Sequence, residues 1–172
     1  MSLPDDLLEQ ARHLAGVDAR RPKQVNLRRS VSAAYYALFH LLTSSASALF
    51  VNDPEFRARI NRSFNHSKMR DVSSDIAKRK WPKSIMLPTM TSSINPDLEK
   101  LEFVAEAFTR LQQARHEADY DLSRVYSRED ARGAIELAQE AFERWEAIKK
   151  TDYARLYLAS FLLSDLWNKN PR

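Results

Sequence analysis

Four side chains within six residues carry most of the chemistry this sequence can offer: Arg115, His116, Asp119 and Tyr120. A guanidinium can hold two phosphate oxygens at once, an imidazole moves protons near neutral pH, a carboxylate orients either of them, and a phenol donates. Arg115 stands where an apolar side chain is due. Leu101, Val104, Phe108, Leu111, Ala118 and Leu122 follow one another by 3, 4, 3, 7 and 4 residues, and Arg115 fills the step missing from the gap of seven. A guanidinium on a packing seam must be paired, because burying it alone costs several kcal/mol or more. Asp119, one helical turn on, is the nearest partner in sequence. If it satisfies Arg115 fully, the pair is structural.

A second set lies upstream. Arg29, Ser32, Tyr36, His40 and Thr43 are separated by 3, 4, 4 and 3 residues, a polar stripe down an otherwise apolar helix. Such a stripe faces water, a partner or another polar stripe. It can contact a phosphate and a stacked base or shuttle a proton; it can equally consist of a hydrogen-bonded interface histidine and a packed tyrosine whose hydroxyl is satisfied.

The charge is localised. The chain carries 27 Lys and Arg against 23 Asp and Glu, and residues 57–83 account for the whole excess. That stretch holds Arg57, Arg59, Arg62, Lys68, Arg70, Lys78, Arg79, Lys80 and Lys83 against Asp71 and Asp75. Neutralising phosphates and releasing their counterions needs such a local excess, although a solvated helix face has the same composition.

Helices must position these groups. With 2 Gly and 7 Pro in 172 residues, the chain lacks the turns a sheet needs, and an all-α single domain over 1–172 is expected. Periodicity and cap residues predict a first helix over Pro4 to Ala15 that stops at Gly16, and a central helix from Val25 to Phe50. A third helical region opens at Asp53-Pro54-Glu55, breaks near Asn65 and continues to about Lys80. Asn95-Pro96-Asp97 opens a fourth helix, Ser127 to Asp130 form a capping box opening a fifth that runs to roughly Lys150, and a last helix follows Asp152. The last helix is apolar on nearly every side between Leu156 and Leu163 except at Ser160, so it must pack against more than one surface. Residues 81–95, with Pro82 and Pro88, read as a long proline-containing loop.

The absence of Cys excludes disulfide scaffolds, cysteine-ligated zinc and thiol nucleophiles. His13, His40, His66 and His116 are too dispersed for a metal site, and no Gly-rich phosphate loop or pair of catalytic carboxylates is visible, so neither metal nor cofactor is expected. No apolar run approaches the ~18 residues of a membrane span and no signal-peptide order opens the chain, which points to the cytoplasm.

The segment Arg28-Arg29-Ser30-Val31-Ser32-Ala33-Ala34-Tyr35-Tyr36-Ala37-Leu38-Phe39-His40 resembles the central helix of the HEPN family, small all-α proteins of prokaryotes and higher eukaryotes. Phe64-Asn65-His66-Ser67-Lys68-Met69 resembles its histidine-containing turn, and Ala114 to Asp121 its fourth-helix segment. The resemblance implies a helical bundle that dimerises with its cleft at the interface. Many members are metal-independent ribonucleases or partners of small nucleotidyltransferases, some in toxin-antitoxin or defence systems. Their motif is an arginine, commonly followed by a polar residue, with a histidine four to six residues further on. Arg115 and His116 match its start, and Tyr120 occupies the histidine position. A phenol ordinarily titrates near pH ~10 and is a poor base at neutrality. Arg110 and His116 are also six apart, but Arg110 lies about 140° from Arg115 around a regular helix.

The expected protein is a HEPN-like helical homodimer that binds RNA or another polyanion with a degenerate catalytic centre and acts with a partner protein. The expected catalytic set is Arg115, His116 and Tyr120, with Asp119 orienting. The expected nucleic-acid contacts are Arg29, Tyr36, His40, Arg62, His66, Lys68, Lys78, Arg79 and Lys80. Two other readings remain open. One is an active metal-independent endoribonuclease using His116, His66 or His40 for proton transfer; the other is an antitoxin-like interaction module that touches no nucleic acid.

Overall fold

Side-chain caps begin the helices where the sequence places them. The computed structural model describes residues 2–18, 20–81 and 95–169, with side chains as far as residue 165. Among these residues there are seven helices and no strand: α1 (Leu3–Gly16), α2 (Gln24–Phe50), α3 (Pro54–Asn61), α4 (His66–Ala77), α5 (Pro96–Tyr120), α6 (Arg128–Ile148) and α7 (Asp152–Lys169). The chain is all-α. Asp53 Oδ1 accepts from the amides of Glu55 and Phe56 to start α3, and Asn65 Oδ1 accepts from Ser67 and Lys68 to start α4, which is why the third helical region breaks there. Asn95 caps α5 in the same way. At α6, Ser127 and Asp130 exchange hydrogen bonds, the Ser127 amide donating to Asp130 Oδ2 at 2.7 Å and the Asp130 amide to Ser127 Oγ at 3.0 Å. The expected loop over 81–95 falls almost wholly outside the described residues; Trp81, at its start, is buried.

Two expected ends differ. Gly16 is the last residue of α1 rather than a left-handed residue beyond it; the Val17 amide closes the turn onto the His13 carbonyl in ordinary right-handed geometry, so glycine's conformational freedom is not used. The α5 seam stops before Leu122. The helix ends at Tyr120, Asp121 Oδ1 accepts from the Ser123 amide and hydroxyl to form a turn, and Leu122 is 88% exposed.

The chain divides into two compact units, residues 1–41 with 107–143 and residues 42–106 with 144–172. The first is built on small residues of α2 that admit close neighbours: Ser30 Oγ donates to the Ala11 carbonyl at 2.7 Å, and Ala33, Ala34 and Ala37 are buried. Leu27, Val31, Tyr35, Leu38, Phe108 and Leu111 fill its interior. Each large side chain buried there contributes roughly 1.5 to 3 kcal/mol.

In the second unit α4 packs on α7. Met69, Val72 and Ile76 are buried on α4, and Tyr157, Leu158 and Phe161 on α7. The wholly buried Tyr157 hydroxyl bonds Ser73 Oγ at 2.8 Å, and its ring meets Phe161 edge to face at 4.7 Å. Ser160, the polar break in α7, is itself buried, its hydroxyl returned to the Leu156 carbonyl. Among the described residues no helix is long and apolar enough to cross a membrane.

Candidate nucleic-acid interface

The first unit joins the two polar sets. On α5, Arg115 Nε lies 2.8 Å from Asp119 Oδ2, the i,i+4 pair the seam requires. From α2, Tyr36 OH accepts a 2.8 Å hydrogen bond from Arg115 Nη2, and Ser32 Oγ donates to Asp119 Oδ1 at 2.7 Å. Ser32 and Tyr36, one turn apart on α2, thus hold Asp119 and Arg115, one turn apart on α5. The polar stripe of α2 faces a second polar stripe.

The grip on Arg115 is incomplete. Its Nε hydrogen lacks the alignment of a hydrogen bond to Asp119 despite the short distance, and the side chain stays 23% exposed. The guanidinium carbon sits 5.4 Å from the Tyr36 ring centroid and 5.7 Å from that of Tyr120, between two π faces. Burial works against its charge, but Tyr36 and Asp119 raise its proton affinity further still, so it is a permanent cation. His116 and Tyr120 are exposed, their ring centroids 5.1 Å apart.

A cleft of about 270 Å³ opens beside the pair, lined by Val25, Arg28, Arg29, Ala118, Asp119 and Leu122. The two arginines differ. Arg28 donates to the carbonyls of Ala118, Asp121 and Arg124, offsetting the negative end of α5, whereas exposed Arg29 has no polar partner among the described residues. Neither the Ser32–Asp119 bond nor this role of Arg28 was legible in the sequence, since the partners lie 87 to 96 residues away. His40 is half-buried, its ring 6.3 Å from that of Tyr36 and 5.2 Å from that of Phe39, and burial lowers its proton affinity, favouring the neutral imidazole.

The remaining expected contacts, Arg62, His66, Lys68, Lys78, Arg79 and Lys80, belong to the second unit. Four cations of the basic stretch are ion-paired. Lys68 Nζ meets Asp165 at 2.8 Å, Arg79 Nε meets Glu102 at 2.6 Å, Arg59 pairs with Glu55 and Arg70 with Asp71. Lys78 Nζ donates to Ser74 Oγ, and His66 is the first residue of α4. Arg62 and Lys80 are exposed with no side-chain partner among the described residues, and Lys83 lies outside them. A larger cleft of about 600 Å³ in this unit, lined by Lys68, Asp71, Asp75, Lys80, Trp81 and others, mixes ammoniums with carboxylates and concentrates neither charge. Among the described residues no cluster of His, Asp or Glu could hold a metal ion.

No protein-family model, no curated protein and no solved structure matches the chain.

Proposed function

We propose that this protein is a HEPN-like RNA-binding protein, with Arg115 as its principal phosphate contact and a catalytic centre weakened by Tyr120 at the histidine position. The observation that carries this reading is the Arg115 guanidinium, held along one edge by Asp119 and Tyr36 yet part-exposed, with its partner Asp119 lining the same cleft as the exposed Arg29. A cation fixed in that way is preorganised to meet a phosphate, because little side-chain entropy is lost on binding. Homodimerisation belongs to the proposal: Leu49, Phe50 and Phe56 in the second unit expose 43 to 55% of their surface, apolar area that a second copy would cover. So do a cytoplasmic location and a partner protein such as a nucleotidyltransferase in a toxin-antitoxin pair.

Two observations favour other readings. His116, in ring contact with Tyr120 one residue after Arg115, supplies an imidazole to an active endoribonuclease. The ion pairs of Arg59, Lys68, Arg70 and Arg79 favour an interaction module without nucleic acid. Incubation of purified protein with end-labelled RNA in chelator, read for both mobility and cleavage, separates the three. Retarded, intact RNA supports the proposal; cleaved RNA supports the enzyme; unchanged mobility at low salt leaves the interaction module.

A further inference from the structure

Tyr120 is the last residue of α5 and is 64% exposed, with Leu122 88% and Val125 77% exposed immediately after it. Folding leaves this aromatic ring in water, so it adds little to the core. The ring is nonetheless ordered by its neighbours: His116 lies 5.1 Å away at an interplanar angle of 50°, and the Arg115 guanidinium carbon lies 5.7 Å from its centroid. One helical turn therefore presents an open phenol face, an exposed imidazole and a fixed cation side by side.

The local charges permit an anionic chain to approach. The carbonyl end of α5 would repel phosphate, but Arg28 places its guanidinium on the Ala118 carbonyl of its last turn and on the Asp121 and Arg124 carbonyls just beyond it. Arg124 is engaged by Glu117 and Asp130, which also removes those two carboxylates as competitors for Arg115. Asp121 Oδ1 is occupied by the Ser123 amide and hydroxyl, and Arg29 at the adjoining cleft is unpartnered among the described residues. An aromatic face next to a cation suits a nucleotide whose base stacks while its phosphate meets the guanidinium. A base inside a duplex has both faces covered and cannot use the ring.

We infer that Tyr120 is a base-stacking platform that makes the Arg115 site selective for unpaired nucleotides in single-stranded RNA. The inference rests on the RNA-binding reading above. Tyr120 thereby has a function of its own at the position where the family motif carries a proton-transfer group: it reads strandedness through its π face.

The test compares one fluorescein-labelled RNA, single-stranded and as its duplex, by anisotropy at low salt with wild type, Tyr120→Ala, Tyr120→Leu, Tyr120→Phe and Arg115→Lys proteins. Wild type should prefer the single strand. Tyr120→Ala and Tyr120→Leu should each weaken single-strand binding by about 10-fold, the scale of one lost base-aromatic stack, and leave duplex binding unchanged. Tyr120→Phe should restore wild-type affinity, since the hydroxyl is not used. A 2-aminopurine in the single strand should be quenched on binding wild type and Tyr120→Phe but not Tyr120→Leu. Arg115→Lys should weaken single strand and duplex together. Equal loss on both RNAs, or undiminished single-strand binding by Tyr120→Ala, overturns the platform while RNA binding stands. Failure of wild type to bind either RNA overturns both readings. The exposure of Tyr120 makes unaltered melting temperatures the expected folding control.

Discussion

Tyr36 OH accepts a 2.8 Å hydrogen bond from Arg115 Nη2 across 79 residues of sequence, and this bond ties the polar face of α2 to the polar face of α5. With Ser32 on Asp119 it makes a four-membered network, Ser32–Asp119–Arg115–Tyr36, in which each member orients the next. Asp119 and Tyr36 fix the guanidinium, and under the proposed function its exposed remainder is what a phosphate would meet.

Asp119→Ala should destabilise the protein by about 1 to 3 kcal/mol, because it strands the buried Ser32 hydroxyl and removes the counter-charge of Arg115. Tyr36→Phe removes one hydrogen bond and should cost less, about 1 kcal/mol. Chemical denaturation of the two variants measures the order, and equal stability for Asp119→Ala and wild type would contradict the network.

Arg115→Lys keeps the charge and loses the fork. If the protein cleaves RNA, that change should lower the rate by about 100-fold or more, the scale of a lost transition-state donor, in a gel assay on end-labelled RNA. A stable Arg115→Lys protein with undiminished cleavage would leave the residue purely structural.

Arg79 is the non-glycine residue with positive φ among those described, at 57°, in the turn that ends α4. Its side chain pairs with Glu102, so Arg79→Gly and Arg79→Ala both lose the ion pair, but only the glycine relieves the left-handed backbone. Arg79→Gly should therefore be the more stable of the two by about 1 kcal/mol, as read from urea midpoints.

Lys78 and Lys80, unlike Arg79, have no carboxylate partner among the described residues. If RNA crosses this face, replacing both with Gln should reduce the slope of log affinity against log salt by about 1.5 units. An unchanged slope would make them solvated lysines.

Burial lowers the proton affinity of His40, so the unfolded chain takes up its proton first as pH falls. The stability associated with neutral His40 is fully present above its unfolded value of about 6.5 and is lost as pH falls below it. Thermal melts between pH 8 and about pH 5 should show a decline that His40→Gln removes. Asp5 and Asp130, whose carboxyls are held low by the serines they bind, act in a separate window: their contribution is present above about 4 and lost as pH falls through their folded values.

Local chemistry was legible in the chain itself. Asp53, Asn65, Asn95 and the Ser127–Asp130 box each cap a helix through atoms two or three residues away, so the order of residues suffices to place the helix starts. The Arg115–Asp119 pair is legible for the same reason, being one helical turn. What spacing cannot carry is which polar stripe meets which. Tyr36 on Arg115, Ser32 on Asp119 and Arg28 on the end of α5 join residues 79 to 96 positions apart, and only the tertiary structure brings them together. The charge excess over 57–83 is likewise counted along the chain alone, whereas Glu102 and Asp165, which pair with Arg79 and Lys68, stand far outside that stretch. Leu122 fits the α5 period but is left in water, since periodicity counts a turn that the Asp121–Ser123 hydrogen bonds have already ended.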